Sequence, residues 1–287
     1  MLVLCCSCMH YCQAQDTSLL KSIEEPQALI SEKVTGAFKS TRVINAHSIE
    51  MLSKGNLDFR ILHRFGFISD GVKQFFGLDV ASMRMGFDYG ITDNFTIGIG
   101  RSTFRKELDG FLKIRLLQQT KGAKKIPLSV VIAAGYAVHT EQDFTGKNPT
   151  LADRSAYYVQ LVAGRKFNSK FSMQLSPIFV HTNIPFNITD DREIFAMGGG
   201  ARYKVSKRTA ITLDYHHPFG RLADNITDPL SVGVDIETGG HVFQLHFSNA
   251  TGMNERAYIT QTTGNFFKGD MRLGFNLSRM FKVGKRH

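Results

Sequence analysis

Asp214, His216 and His217 come nearest to a reactive constellation in this chain. On a strand Asp214 and His216 share a face, the arrangement a metal site or a carboxylate-oriented imidazole acid–base pair would use. Pro218 follows at once, so the pair sits at a strand end, and no second ligand cluster accompanies it; a structural or solvated role is favoured. Gly98-x-Gly100 and Gly198-Gly199-Gly200 resemble fragments of a nucleotide loop, but neither lies between a parallel strand and a helix, as a phosphate cradle requires. They read as bends or close packing within strands. A nucleophilic hydrolase needs Ser, His and an orienting acid or amide. No G-x-S-x-G elbow is present, yet groups on separate strands leave no local signature, so a hydrolase stays as a second alternative. No catalytic, cofactor-binding or metal residue is assigned, and no cofactor is expected.

Charged residues recurring with period two carry more information. Arg60, Arg64, Arg84, Lys113, Arg115, Lys166, Arg202, Lys204 and Arg272 fall on the polar parity of alternating segments, with Asp58, Asp88, Asp109 and Asp214: nine basic residues against four acidic. If the apolar parity faces lipid, these charges must point inward or sit near an interface, because each would cost about 2–4 kcal/mol at mid-bilayer. Inside they either pair into a network, such as Arg84 with Asp88 or Lys113 and Arg115 with Asp109, or line a water path. A surplus of inward bases would favour anionic solutes.

The elements that must hold these residues are strands. Met83, Met85, Phe87 and Tyr89 oppose Ser82, Arg84, Gly86 and Asp88; Leu108, Leu112, Ile114 and Leu116 oppose Asp109, Lys113 and Arg115; Met271, Leu273, Phe275 and Leu277 oppose Arg272, Gly274, Asn276 and Ser278. The segments run to about ten residues, which suits a tilted membrane strand better than a soluble one. Tight turns at Ile91–Asn94, Asn168–Lys170 and Ser206–Arg208 alternate with long loops at Thr140–Arg154, Ile184–Arg192 and Phe219–Pro229, the habit of outer-membrane barrels. The last segment closes on Phe281. Tryptophan is absent, so 23 phenylalanines and 8 tyrosines must furnish the interfacial girdles. The mean hydropathy of −0.13 fits a barrel as well as a soluble protein. The expected fold is an all-β, transmembrane, antiparallel up-and-down β-barrel of about 12 strands, range roughly 10–14. Leu230–Thr238 and Arg256–Thr263 are its weaker strand candidates, and Ser69–Phe76 is read as a short helical turn in a loop.

Residues 1–15, MLVLCCSCMHYCQAQ, read as a signal peptide with cleavage after Gln15, although no Lys or Arg precedes its short apolar run. All four cysteines, Cys5, Cys6, Cys8 and Cys12, fall there, so the remaining chain has no cysteine framework; whether one carries lipid is left open. Residues 16–56 form a lead segment that is a periplasmic lead, a plug or an additional strand, and 57–287 form the barrel. The formal net charge of +10 is dispersed rather than blocked, which disfavours nucleic acid as a partner.

Several runs together resemble an uncharacterised family of bacterial outer-membrane β-barrels, a domain of unknown function: LDFRILHRFG (Leu57–Gly66), MGFDYGITDNFTIGIGRS (Met85–Ser102), DGFLKIRLL (Asp109–Leu117), GGHVFQLHFSNATGMNERAYI (Gly239–Ile259) and GDMRLGFNLSRMF (Gly269–Phe281). The resemblance implies fold and an outer-membrane location, and supplies neither substrate nor catalytic residue. The functional expectation is a passive pore or transport-related barrel for small polar or anionic solutes, embedded in outer-membrane lipid. The alternative is a closed barrel with a structural or binding role. The solute, the oligomeric state, the exact strand number and the role of residues 16–56 are left open by the sequence.

Overall fold

A computed structural model describes residues 30–141 and 149–283. The proposed signal peptide and its cysteines lie outside the described residues. Twelve strands close into one antiparallel barrel. They are β1 (Asn56–Phe67), β2 (Ala81–Thr92), β3 (Phe95–Ser102), β4 (Glu107–Leu117), β5 (Ser129–His139), β6 (Ser155–Lys166), β7 (Phe171–Thr182), β8 (Glu193–Lys204), β9 (Thr209–Phe219), β10 (Leu230–Thr238), β11 (His241–Ser248) and β12 (Arg272–Lys282). Each pairs with its sequence neighbour, and β12 closes on β1 with Leu277 opposite Ile61 and Ser278 opposite Arg60. Closure leaves no unpaired edge, the condition for crossing a bilayer with strands.

The alternation sorts side chains as the sequence predicts. Ile99, Leu112 and Leu175 on the outer wall are 66%, 51% and 50% exposed, whereas Arg60, Arg84 and Lys113 on the inner wall are 1% exposed or less. An apolar exterior around a charged interior inverts a soluble protein and matches a lipid-facing wall. Turns at residues 93–94, 167–170, 205–208 and 239–240 share one end of the barrel with the start of β1 and the end of β12. At 239–240 a two-residue turn requires positive φ, and Gly239 supplies it at 56°. The longer 118–128 connection also lies at this end, and the other end carries the remaining long loops.

Two stretches fold into the barrel. Residues 36–50 enter from the turn end as a narrow hairpin: Arg42 bridges His47, Ser48 N–H donates to Thr41 O at 2.9 Å, and Val43 N–H to Ala46 O at 2.9 Å. Before it, Glu32–Lys33 pair with Lys121 and Thr120 outside the barrel wall. From the loop end, residues 249–263 turn inward and carry helix α1 (Glu255–Thr260), whose six residues are all buried. Asn254 caps it, its side chain accepting from Ala257 N–H at 2.9 Å. The sequence reading of Arg256–Thr263 as a weak strand is therefore corrected: this stretch is α1 and its exit, held by polar contacts inside the mouth. Leu230–Thr238 is β10. The stretch around Ser69–Phe76 forms two short 3₁₀ turns, Ile68–Asp70 and Val72–Gly77.

Candidate functional site

The interior is where this barrel concentrates its chemistry. The hairpin tip presents three successive N–H groups, of Ile44, Asn45 and Ala46, to one carboxylate oxygen of Asp214 on β9 at 3.3, 2.7 and 3.0 Å. Successive backbone donors curled round an anion form a concave nest, and here a strand supplies the anion. Around the tip, Gln244 on β11 donates to Val43 O at 2.7 Å and Asn276 on β12 to Ile44 O at 3.0 Å. Asn45 donates to Ser231 Oγ on β10 at 3.0 Å and accepts from Arg64 on β1 at 2.9 Å. Lower down, Lys113 on β4 donates to Thr41 O at 3.1 Å and Glu50 O at 2.7 Å. Gln174 on β7 clasps His47 O and Ile49 N–H at 2.7 and 3.2 Å, and Tyr158 on β6 meets His47 Nε2 at 3.1 Å. Eight of the twelve strands thus hold the hairpin through backbone or side-chain hydrogen bonds.

The hairpin also joins the inward loop. Arg42 donates to Glu255 Oε1 at 2.7 Å, both side chains being 1% exposed, and to Asn45 O at 2.6 Å. Burial is the strongest single influence on the Arg42 guanidinium and lowers its pKa, but Glu255, with Tyr158 and Asp88, together outweigh it and hold the pKa above its ordinary value. Arg256 pairs in turn with Glu107 at the start of β4. Apolar contacts fill what remains: Val43, Ile49, Ala37 and Phe38 pack with Val131 and Val162, and Ala46 with Phe111, Tyr158, Tyr258 and Ile259.

Inward glycines make this fit. A Cβ at Gly200 would stand 2.9 Å from Val43 Cγ2, and one at Gly164 would stand 3.0 Å from Ile49 Cγ2. Gly200→Leu should therefore displace Val43 and destabilise the seated hairpin by about 1–3 kcal/mol, as overpacking does. Its expected signature is faster aqueous thiol labelling of a cysteine placed at Ser48, now fully buried. An unchanged rate would show that the hairpin does not rest on this strand.

Of the sequence-selected residues, Arg60, Arg64, Arg84, Asp88, Lys113, Arg202 and Asp214 are buried on the inner wall. Asp109 pairs there with Arg84, and Arg60 with Asp58 at 2.5 Å and Asp88 at 3.8 Å. Arg202 spans Asp235 and Glu237 at 3.6 and 3.2 Å. The expected partners were different: Arg84 takes Asp109 rather than Asp88, and Lys113 takes carbonyls rather than Asp109. Arg115 and Lys204 lie only partly buried at the turn-end rim, where Arg115 donates to Gln118 at 3.2 Å. Lys166, also near that rim, donates to Thr35 O at 2.9 Å. Arg272 sits at the loop-end rim, its guanidinium 3.5 Å from the centre of the Phe67 ring.

Sequence reasoning missed Arg42, Glu107, Asp235, Glu255 and Arg256. Counting them, seven buried bases (Arg42, Arg60, Arg64, Arg84, Lys113, Arg202 and Arg256) face seven acids (Asp58, Asp88, Glu107, Asp109, Asp214, Asp235 and Glu255), so the buried interior is balanced and the basic surplus lies at the rims, in Arg115, Lys166, Lys204 and Arg272. His216 approaches Asp214 at 3.4 Å as one buried pair, while His217 points out to Asp228 at 2.9 Å; the two histidines do not converge. Among the described residues no group of three or more His, Cys, Asp or Glu side chains could hold a metal, and no serine hydroxyl hydrogen-bonds a histidine ring.

Residues 38–281 match the model of the family described as "Membrane bound beta barrel domain (DUF5777)". The chain belongs to that family. No curated protein matches the chain significantly. Among solved structures the family member resembles the NanC porin, at 7% identity and a TM-score of 0.49, over 79% of this chain and 100% of that one. It also resembles the KdgM porin in complex with disordered oligogalacturonate, at 10% identity and 0.48, over 79% and 99%. Omp33 of Acinetobacter baumannii is similar at 7% identity and 0.45, over 79% and 99%. These are likenesses of barrel shape.

The membrane-bound barrel's hairpin carries a titratable group at its inner end. Burial, and then the charges of Arg42, Lys113, Arg60 and Arg84, push the His47 pKa well below its ordinary value, so the seated ring is neutral. A released hairpin would bind a proton near the usual histidine value of about 6.5, which the seated one refuses. The seated arrangement of the hairpin therefore keeps its full stability above about pH 6.5 and loses it as pH falls below. Thiol labelling at position 48, taken relative to a free thiol at the same pH to remove the thiolate's own titration, should accelerate in that window, and His47→Gln should flatten the response.

Proposed function

We propose that this chain is an outer-membrane passage barrel held shut by its own residues 36–50, opening to small polar solutes only when that hairpin leaves the lumen. The observation that carries the reading is the hairpin's mode of attachment. It is seated by discrete polar contacts on eight strands and by apolar packing, and no continuous sheet joins it to the wall, so it can leave as a unit on the 51–55 connection. Placement in the outer membrane is supported by the closed even-numbered barrel, the apolar outer wall and the short turns at one end. The balanced buried charge supports a weakly selective path rather than an anion-selective one.

Planar-bilayer recording tests this. The wild-type chain should rest closed with brief openings, and replacing residues 36–50 by a glycine–serine linker of equal length should give steady conductance. A steadily open wild type would overturn the closed resting state. A wild type that never opens across the accessible voltage range would overturn gating and leave a filled barrel with a structural or binding role.

A further inference from the structure

The two ends of the barrel differ in charge. Among the described residues the loop end is nearly balanced, with five exposed acids, Asp70, Asp79, Glu141, Glu193 and Asp224, against six exposed bases. The turn end exposes Lys124, Lys125, Arg165, Lys170, Lys207 and Arg208, while its only exposed acids among the described residues are Glu32 and Asp93. Beside part of this basic rim the lipid-facing wall is indented. On the outward row of β6 the small Ala163 stands between Val130 of β5 and Leu175 of β7. The result is a groove of about 320 Å³ lined by Pro127, Leu128, Ala163, Phe167, Met173 and Leu175. Arg165 closes its turn-end side, its guanidinium held 5.4 Å from the centre of the Phe167 ring.

We propose that this groove is a binding site for one anionic phospholipid of the leaflet at the turn end, an acyl chain lying against Ala163 and the phosphate meeting Arg165. Charge complementarity selects the occupant. The apolar channel accepts hydrocarbon, and Lys124, Lys125 and Lys170 are exposed on the connections that flank β5, β6 and β7 at this end. A planar guanidinium binds phosphate oxygens in pairs, and its stacking on Phe167 orients it at the headgroup level. A neutral or zwitterionic lipid would fill the groove equally well but would gain less from the rim.

Native mass spectrometry of the full chain in detergent, with added phosphatidylglycerol or phosphatidylcholine, tests the site. One phosphatidylglycerol should be retained in preference to phosphatidylcholine. Arg165→Gln should weaken retention about fivefold, the effect of one basic residue near an anionic surface. Ala163→Phe, which fills the groove from the lipid side, should abolish retention, while Lys282→Gln on the same rim away from the groove should not change it. Heat-dependent gel mobility confirms that each variant is folded. Equal retention of both lipids, equal loss in Arg165→Gln and Lys282→Gln, or full retention in Ala163→Phe would overturn the site. So would capture of poly-L-glutamate through Arg165 without lipid preference, which would assign the rim to an acidic protein partner.

Discussion

Glu255→Ala should open the barrel. It leaves the Arg42 guanidinium buried in the lumen without its carboxylate, and removing one partner of a buried ion pair costs about 3–5 kcal/mol. If that cost falls on the closed state alone, the open fraction rises by roughly two to four powers of ten. Bilayer conductance and thiol labelling at position 48 would both report it. The barrel wall should survive, because Glu255 lies on α1 and contributes nothing to the strand ladders. Arg42→Met combined with Glu255→Leu should recover much of the closed state, since replacing both charges by apolar groups of similar volume removes the orphan. A double variant as open as Glu255→Ala would show that the pair acts through geometry rather than charge.

The second large effect is expected at Asp214. Alanine there strands the N–H groups of Ile44, Asn45 and Ala46 in a buried tip, each costing about 1–3 kcal/mol when left without an acceptor. It also leaves His216 without its neighbouring carboxylate. Asp214→Asn keeps one acceptor oxygen in place and should lose markedly less. Labelling at position 48 should rank the variants wild type, Asn, Ala in increasing rate. If Asn and Ala were equally fast, the negative charge rather than the acceptor geometry would be holding the tip.

The wall of the barrel was legible because it obeys a single rule. Alternation in Ser82–Tyr89 or Leu108–Leu117 places side chains on two faces whatever the rest of the chain does, and turn residues mark where each strand stops. The filling was not decided by the sequence: a plug was one of three alternatives left open for residues 16–56, and both Val34–Met51 and Arg256–Thr263 alternate only in part. They are shaped by partners far away in sequence, as Arg42 by Glu255 and the tip by Asp214. The inward glycines were visible as a pattern, but their reason, room for Val43 and Ile49, appears only once the hairpin is in place. Glu107 could have been found, since it shares the parity of Asp109 and Lys113 on β4. Glu255 and Arg256 could not, because a strand reading of their segment gives them the wrong neighbours.

The central claim is that residues 36–50 close the lumen and must move for the barrel to conduct. It is tested most directly by tethering the hairpin. With the four natural cysteines replaced by serine, Val43→Cys and Gly200→Cys bring two thiols to a place where Val43 already stands within 2.9 Å of a Cβ built on Gly200. Recorded in a planar bilayer, the oxidised protein should stay shut, and reduction should restore the brief openings of the wild type. If the oxidised and reduced proteins conduct alike, the path does not run through the hairpin's seat and the account is wrong.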